Sequence, residues 1–171
     1  MAPSRILVAA ALVAGLAAPA TANAAHHGKH SHRATASPAT ASTLVKTAAT
    51  VARRYWGTVP CNGQITYVGR SPLSAGVDPT TDAWATFSSS LGQNNLAAPA
   101  SSYRNCAITL ARWRWPTAAS MAGDWDLLCT TVVHETGHLL GKPHDLRRGS
   151  VMAPVFTDGS NVPRACKAAR P

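Results

Sequence analysis

The chain has 171 residues, enough to bury the core of one domain, and we expect no second domain. Its net charge is +9, and from residue 44 onward 13 Lys and Arg still face 7 Asp and Glu, a net charge of +6. This excess favours electrostatic association with anionic cell-wall polymers or acidic substrates, although a solvated basic surface explains it equally well. Beyond the N-terminal segment no stretch is apolar enough to span a membrane. Nothing in the composition indicates a nucleic-acid partner.

The first 24 residues have the organisation of a secretory signal peptide. A positive start ends at Arg5, an apolar stretch covers residues 6–17, and the triplet from Ala22 to Ala24 is an A-x-A cleavage site. We therefore predict cleavage after Ala24 and a secreted, extracellular protein.

Residues 25–43 are rich in histidine and in small polar residues, and they show no apolar period. A segment of this kind cannot bury enough surface to order itself, so we predict a flexible leader followed by a catalytic domain over residues 44–171. Its histidines are open to two interpretations, a polar linker or metal ligands that act before activation: His26, His27, His30 and His32.

Apolar periodicity predicts one helix and three strands in the first half of this domain. Residues 42–56 have helical spacing, with Ser42 or Thr43 as the N-cap and Gly57 at the end. Alternating apolar residues predict strands at three places: residues 64–69, 83–88 and 106–110.

Arginine and tryptophan alternate after the third predicted strand, from Arg112 through Trp113 and Arg114 to Trp115. On a strand, this pattern would place both indoles on one face, where they could stack on sugars, peptides or bases. We prefer the interpretation that both indoles complete the core while the arginines face water, because two tryptophans beside a small core are most simply buried.

The four cysteines are expected to pair as disulfides, since exported thiols meet an oxidising environment and none of the four belongs to a C-x-x-C metal motif. Four cysteines allow three connectivities. We predict that Cys61 pairs with Cys106, joining two strands, and that Cys129 pairs with Cys166, tying the tail to the helix that follows Asp124.

The stretch HETGHLLGKPHD, residues 134–145, combines the features of a long zinc-protease signature. A helix is predicted from Trp125 to Leu140, with Asp124 as its N-cap, and it places His134 and His138 one turn apart on the same face. Gly141 should end this helix, because glycine adopts the left-handed conformation at low cost.

Pro143 then stiffens the turn that brings His144 round as the third ligand. Three protein ligands leave a fourth position open for water, which is the pattern of a catalytic zinc site rather than a structural one. Glu135, beside the metal but off the ligand axis, is the predicted general base for that water.

With these residues in place, the chain resembles the metzincin metalloendopeptidases. Met152, eight residues after His144, matches the methionine of the Met-turn that forms an apolar floor beneath the zinc. Pro154 is similar to the matrixin branch, especially its small secreted bacterial members. In that branch this stretch forms a wall of the pocket for the residue after the scissile bond, so the resemblance assigns Pro154, Val155 and Phe156 to that wall.

The resemblance implies an α+β fold with a small twisted mixed sheet, a packing helix, an active-site helix and a Met-turn. It also implies that an extended peptide adds to an edge strand, for which residues 106–110 are our candidate. Structural calcium is common in such folds, but no Asp-rich loop indicates a site here. We expect a monomer acting on a protein or peptide substrate.

Asp145 departs from the matrixin pattern. Aspartate after the third histidine resembles the adamalysins, whereas the HETGH core also resembles the snapalysins, which use aspartate where this chain has His144. Asp145 is therefore a rival metal ligand, although the spacing favours His144. The matrixin propeptide cysteine is missing from residues 25–43. An alternative function is a basic module that binds cell walls or polymers through Trp113 and Trp115, with a vestigial zinc site.

Overall fold

The computed structural model of the chain describes residues 39–70, 77–156 and 159–171. Four helices and four strands lie within these residues, and together they form an α+β fold. The predicted signal peptide and residues 25–38 of the predicted leader lie outside the described residues. None of the described helices is both long and apolar enough to cross a bilayer.

The first helix, α1, covers Ala41–Trp56 and begins earlier than the sequence predicted. Thr40 caps it, since its side-chain oxygen accepts a hydrogen bond from the N–H of Thr43 at 3.1 Å. The predicted caps Ser42 and Thr43 are therefore wrong, because both lie in the first turn. The helix ends as predicted at Gly57, whose φ of 67° is left-handed. Its apolar face is buried through Leu44, Ala48, Val51 and Ala52.

The four strands form one mixed sheet in the order β1-β4-β2-β3. Strand β4 pairs in parallel with β1 and antiparallel with β2, so it lies inside the sheet. The prediction that residues 106–110 form an edge strand is therefore wrong. The bounds are β1 Ile65–Arg70, β2 Ala83–Ser89, β3 Gly92–Gln93 and β4 Arg104–Ala111.

Buried apolar residues of α1, the sheet and a central helix, α3, form a single core cluster. Helix α3 covers Trp125–Leu139 and is buried on nearly every side. Asp124 occupies the predicted N-cap position but makes no capping bond with its side chain. Its carboxylate instead forms an ion pair with Arg114 at 3.0 Å. Two short helices were not predicted: α2 at Ala118–Gly123 and α4 at Arg164–Ala168.

Both predicted disulfides are confirmed. Cys61 is bonded to Cys106, and Cys129 is bonded to Cys166. The second joins α3 to α4, as expected for a bond that ties down the tail. The first does not join two strands, because Cys61 lies in a short 3₁₀ turn just before β1. One disulfide therefore ties a turn to the sheet, and the other ties the tail to α3.

The segment that alternates arginine and tryptophan is a turn rather than a strand, because β4 ends at Ala111. Trp115 is 2% exposed and belongs to the core, whereas Trp113 is 49% exposed. Our preferred interpretation is right for Trp115 and wrong for Trp113. A turn does not hold two side chains to a common face, and the two indoles consequently form no shared surface.

Candidate metal centre

The three histidines of the central motif converge on one point. Helix α3 carries His134 and His138 one turn apart, and the loop after the helix returns His144 to them. One nitrogen from each imidazole lies within 4.8 Å of the other two, so the group could hold a metal ion. Among the described residues no other set of three imidazole, thiol or carboxylate groups gathers in this way.

The return loop begins with a glycine turn at the end of α3. Gly141 has a φ of 75°, and its N–H donates to the carbonyl of His138 at 2.9 Å. The N–H of Lys142 reaches further back, to the carbonyl of Gly137 at 2.9 Å. These two bonds form a Schellman motif, which satisfies the last carbonyls of the helix and reverses the chain. The prediction that Gly141 ends the helix is confirmed.

Backbone carbonyls orient two of the imidazoles. The Nδ1 atom of His134 lies 2.8 Å from the carbonyl oxygen of Val151, and that of His138 lies 2.8 Å from the carbonyl oxygen of Lys142. Because a carbonyl can only accept, Nδ1 carries the proton in both rings and Nε2 keeps its lone pair. The two rings are thus held as neutral ligands that offer Nε2 to the common point.

The distance between two of the three nitrogens fits a small tetrahedral ion. Nitrogens bound to zinc at about 2.0–2.1 Å in tetrahedral geometry lie about 3.3 Å apart. The Nε2 atoms of His138 and His144 are 3.2 Å apart. The pKa of His134 is lowered to about 4, mainly by burial; its hydrogen bond to Val151 opposes the shift and the neighbouring imidazoles add to it. Burial also lowers the pKa of His138. Both rings are therefore neutral at physiological pH, as a metal requires.

Glu135 lies beside this group and is nearly inaccessible, with 7% of its surface exposed. Burial raises its pKa to about 8, and a hydrogen bond from the backbone N–H of Ala85 in β2 partly offsets this. A divalent cation at the three histidines would lower that pKa again, because it favours the charged carboxylate. The carboxyl group thus bonds the sheet at β2 and lines a pocket together with His134.

Met152 packs beneath the helix that carries the histidines and is 5% exposed. It reaches α3 at Gly137, where an added Cβ would lie 2.8 Å from Cζ2 of Trp56 and closer still to the sulfur of Met152. Trp56 itself donates from its indole nitrogen to the carbonyl of Val133 at 2.9 Å. A missing side chain at Gly137 is therefore what lets Met152 and Trp56 contact the helix between His134 and His138.

Asp145 does not join the three-histidine group. Its carboxylate accepts hydrogen bonds from the guanidinium of Arg147 at 2.7–3.0 Å and from the hydroxyl of Ser150 at 3.0 Å. These contacts hold the pKa of the Asp145 carboxyl well below its usual range. The carboxylate thus stabilises the loop between His144 and Met152, and its partners there keep it away from the metal position.

Pro154, Val155 and Phe156 line a pocket of about 530 Å³ together with His134 and Glu135. The ring of Phe156 meets that of His134 edge to face, with 5.6 Å between the ring centroids. Val155 is 68% exposed and lies at the rim. The structure therefore brings the three residues assigned to a pocket wall next to the candidate metal centre.

Sequence reasoning missed three contributors to this site: Gly137, Trp56 and Ala85. A glycine inside a helix is itself a signal, because it costs about 1 kcal/mol relative to alanine and implies a close neighbour. Trp56 gave no comparable signal, since a tryptophan at the end of an amphipathic helix is ordinary. Ala85 acts through its backbone N–H, which no sequence pattern identifies.

We compared the chain with protein-family models, with curated proteins and with solved structures, and none of them matches it.

Proposed function

We propose that this chain is a secreted zinc-dependent endopeptidase of the metzincin type. The observation that carries the proposal is the convergence of three imidazole nitrogens within 4.8 Å beside a buried carboxyl group, Glu135. Two disulfides and no free cysteine among the described residues agree with an extracellular location, since such bonds persist in oxidising compartments.

His134, His138 and His144 would hold the zinc ion through their Nε2 atoms. A zinc ion with three protein ligands polarises a peptide carbonyl and makes water a usable nucleophile near neutral pH. Glu135 accepts the proton of the attacking water and delivers it to the leaving amine. Its burial excludes competing solvent, and the N–H of Ala85 fixes its orientation.

The substrate would add to β2 rather than to β4. On its outer side, β2 pairs with β3 at Ser88 and Ser89, and both backbone groups of Phe87 bond Asn94. The N–H of Ala111 donates to the carbonyl of Asp82 at 2.8 Å, so alternation along the antiparallel pair directs the backbone groups of Ala83 and Ala85 away from β4. An extended peptide that bonds the backbone groups of Ala83 and the carbonyl of Ala85 would lie beside Glu135, because the N–H of Ala85 already donates to that carboxyl group.

The pocket next to Glu135 would take the side chain that follows the scissile bond. Pro154, Val155 and Phe156 line it together with Glu135 of α3. A substrate backbone on the edge of β2 would pass the mouth of this pocket, because Ala83 of β2 and Glu135 of α3 both line it. We therefore assign the pocket to substrate recognition.

The test is a quenched-peptide or casein assay on the zinc-loaded secreted form, with Glu135→Ala as the variant and Asp126→Asn as a matched control. Asp126 is a carboxylate that pairs with Arg170 and lies outside the site. We expect cleavage that 1,10-phenanthroline abolishes, and a loss of roughly 100-fold or more for Glu135→Ala with zinc still bound. A loss below tenfold would argue against Glu135 as the base. A complete lack of cleavage by the zinc-loaded wild type would favour a binding module.

A further inference from the structure

The pocket beside Glu135 has an unusual charge for this chain. Three of the seven acidic residues, Asp78, Asp82 and Glu135, line it in a protein whose net charge is +9. Arg114 is the one arginine or lysine among the described residues of its lining. The pocket therefore brings two aspartates and a buried glutamate together on an otherwise basic chain.

Arg114 does not neutralise Asp82 fully. The guanidinium lies 3.0 Å from the carboxylate of Asp124, whereas its closest ion-pair contact with Asp82 is 3.8 Å. Asp124 does not line the pocket, so its stronger contact draws the positive charge away from the interior. Asp82 keeps 32% of its side chain exposed and is available to a second cation.

Asp82 lies far enough from Glu135 that only a long substrate side chain, on the residue after the scissile bond, would reach it. Asp82 precedes Ala85 by three residues, so the two lie about 10 Å apart along the strand. On the facing helix Leu127, Thr131 and Glu135 recur every four residues and therefore share one face. The pocket therefore extends from Glu135 along β2 and α3 toward Asp82.

A second, independent feature indicates that the pocket binds a polar group. Thr131 lines it and is 4% exposed, and its hydroxyl oxygen is buried without a hydrogen-bond partner among the described residues. A buried hydroxyl without a partner is costly, and a ligand that donates to it would remove that cost. The ammonium or guanidinium of a substrate would pair with Asp82 and bring hydrogen-bond donors to the side of the pocket that Thr131 lines.

The rest of the lining would suit the apolar stem of such a side chain. Leu127, Ala153 and Phe156 are apolar walls, and the half-exposed indole of Trp113 offers a face for a cation. Lysine and arginine combine a long apolar stem with a charged head, whereas leucine would offer no donor and would leave Asp82 with only its 3.8 Å contact to Arg114.

We propose that this pocket selects substrates with lysine or arginine after the scissile bond, and that Asp82 is the residue that recognises the positive charge. The inference rests on the proposed endopeptidase function. It adds a substrate class, basic peptides, to that function and assigns the specificity to a residue outside the zinc-binding motif.

The test compares two quenched peptides that differ only after the scissile bond, where one has lysine and the other norleucine. On the zinc-loaded secreted form, kcat/KM for the lysine peptide should be about tenfold higher or more, because a charged hydrogen-bonding pair is at stake. Asp82→Asn should bring this ratio close to one, whereas the matched Asp126→Asn should keep it. A wild-type ratio near one, or an equal effect of both variants, would overturn the proposal.

A binding measurement separates this inference from the proposed function. Fluorescent peptides with a reduced scissile bond cannot be cleaved, and their affinity for the zinc-loaded protein is read by anisotropy. Tighter binding of the lysine peptide that Asp82→Asn abolishes would support the pocket assignment even if the protein cleaves nothing. Equal affinity for the two peptides would refute the pocket assignment, and cleavage in the companion assay would then leave the proposed function intact.

Discussion

The backbone N–H of Asp145 donates a hydrogen bond to the carbonyl oxygen of Met152 at 2.9 Å. This bond ties the residue after the third histidine to the methionine beneath the helix. The side chain of Asp145 reinforces it through Ser150, whose hydroxyl oxygen in turn accepts from the N–H of Met152 at 3.2 Å. The third imidazole and the floor of the site are therefore parts of one closed loop.

The two candidate third ligands can be separated by zinc affinity. We expect His144→Ala to weaken zinc binding by about 100-fold or more, because only two ligands would remain. Asp145→Asn should keep a stoichiometry of one and an affinity within about tenfold, since the carboxylate bonds the loop and not the metal. Competition with a chromophoric chelator measures both. A larger loss for Asp145→Asn than for His144→Ala would make Asp145 the ligand.

Gly137→Ala should destabilise the protein by about 1–3 kcal/mol, although alanine is the better helix former by about 1 kcal/mol. The added methyl group would collide with Met152 and with the indole of Trp56. Urea unfolding of the metal-free protein measures the change. Gly123→Ala is the matched control, because an added Cβ there meets nothing within 4 Å, and it should be neutral or slightly stabilising. Equal effects of the two substitutions would contradict the packing at Gly137.

Glu135→Gln should stabilise the metal-free protein at neutral pH. The folded-state pKa of Glu135 is raised from 4.5 to about 8, so its contribution to stability is complete below pH 4.5 and is lost as the pH rises through 8. Glutamine does not titrate. The free energy of unfolding of the variant should therefore rise relative to that of the wild type as pH rises from 4.5 to 8, and the difference should reach about 3 kcal/mol at pH 7.

Urea unfolding in a chelator across this pH range measures the difference. Added zinc should shrink it, because a nearby cation lowers the pKa of the carboxyl group. A difference that stays constant between pH 4.5 and 8 would show that Glu135 is not buried as described.

Replacing both Cys129 and Cys166 with alanine should lower stability by about 2–4 kcal/mol, since the bond closes a long loop. The indole nitrogen of Trp125 also donates to the carbonyl of Cys166 at 2.8 Å, so α4 would keep one polar contact with α3. Thermal unfolding under non-reducing conditions measures this loss of stability as a lower melting temperature. If the double variant melts at the wild-type temperature, the tail contributes nothing to the stability of α3.

Local features of the sequence were enough to predict that the three histidines come together. His134 and His138 lie four residues apart on a helix, and Gly141 and Pro143 determine how the chain turns toward His144, so all of these relations act within one turn or one loop. The helices α1 and α3 were predicted for the same reason, because apolar periodicity along a helix reports which face is buried.

Relations across the sheet were not predictable in this way. The pattern of Cys106 to Leu110 indicated a strand but not its place, and only pairing with both β1 and β2 made it an interior strand. Its nearly continuous apolar run was a hint that both faces are covered, which is typical of interior strands. The edge next to Glu135 belongs to β2, a strand whose sequence carries no functional signal.

The sequence by itself determined the histidine geometry, the general-base candidate and the turn that joins them, because helix period and glycine conformation are local properties of the backbone. Only the tertiary structure decided what surrounds them. It placed Ala85 against Glu135, buried Trp115 while exposing Trp113, gave Asp145 its partners in the loop, and brought Asp82 and Thr131 into one pocket. These contacts join residues far apart in the chain, and they arise from which surfaces are buried together, which spacing along the sequence does not encode.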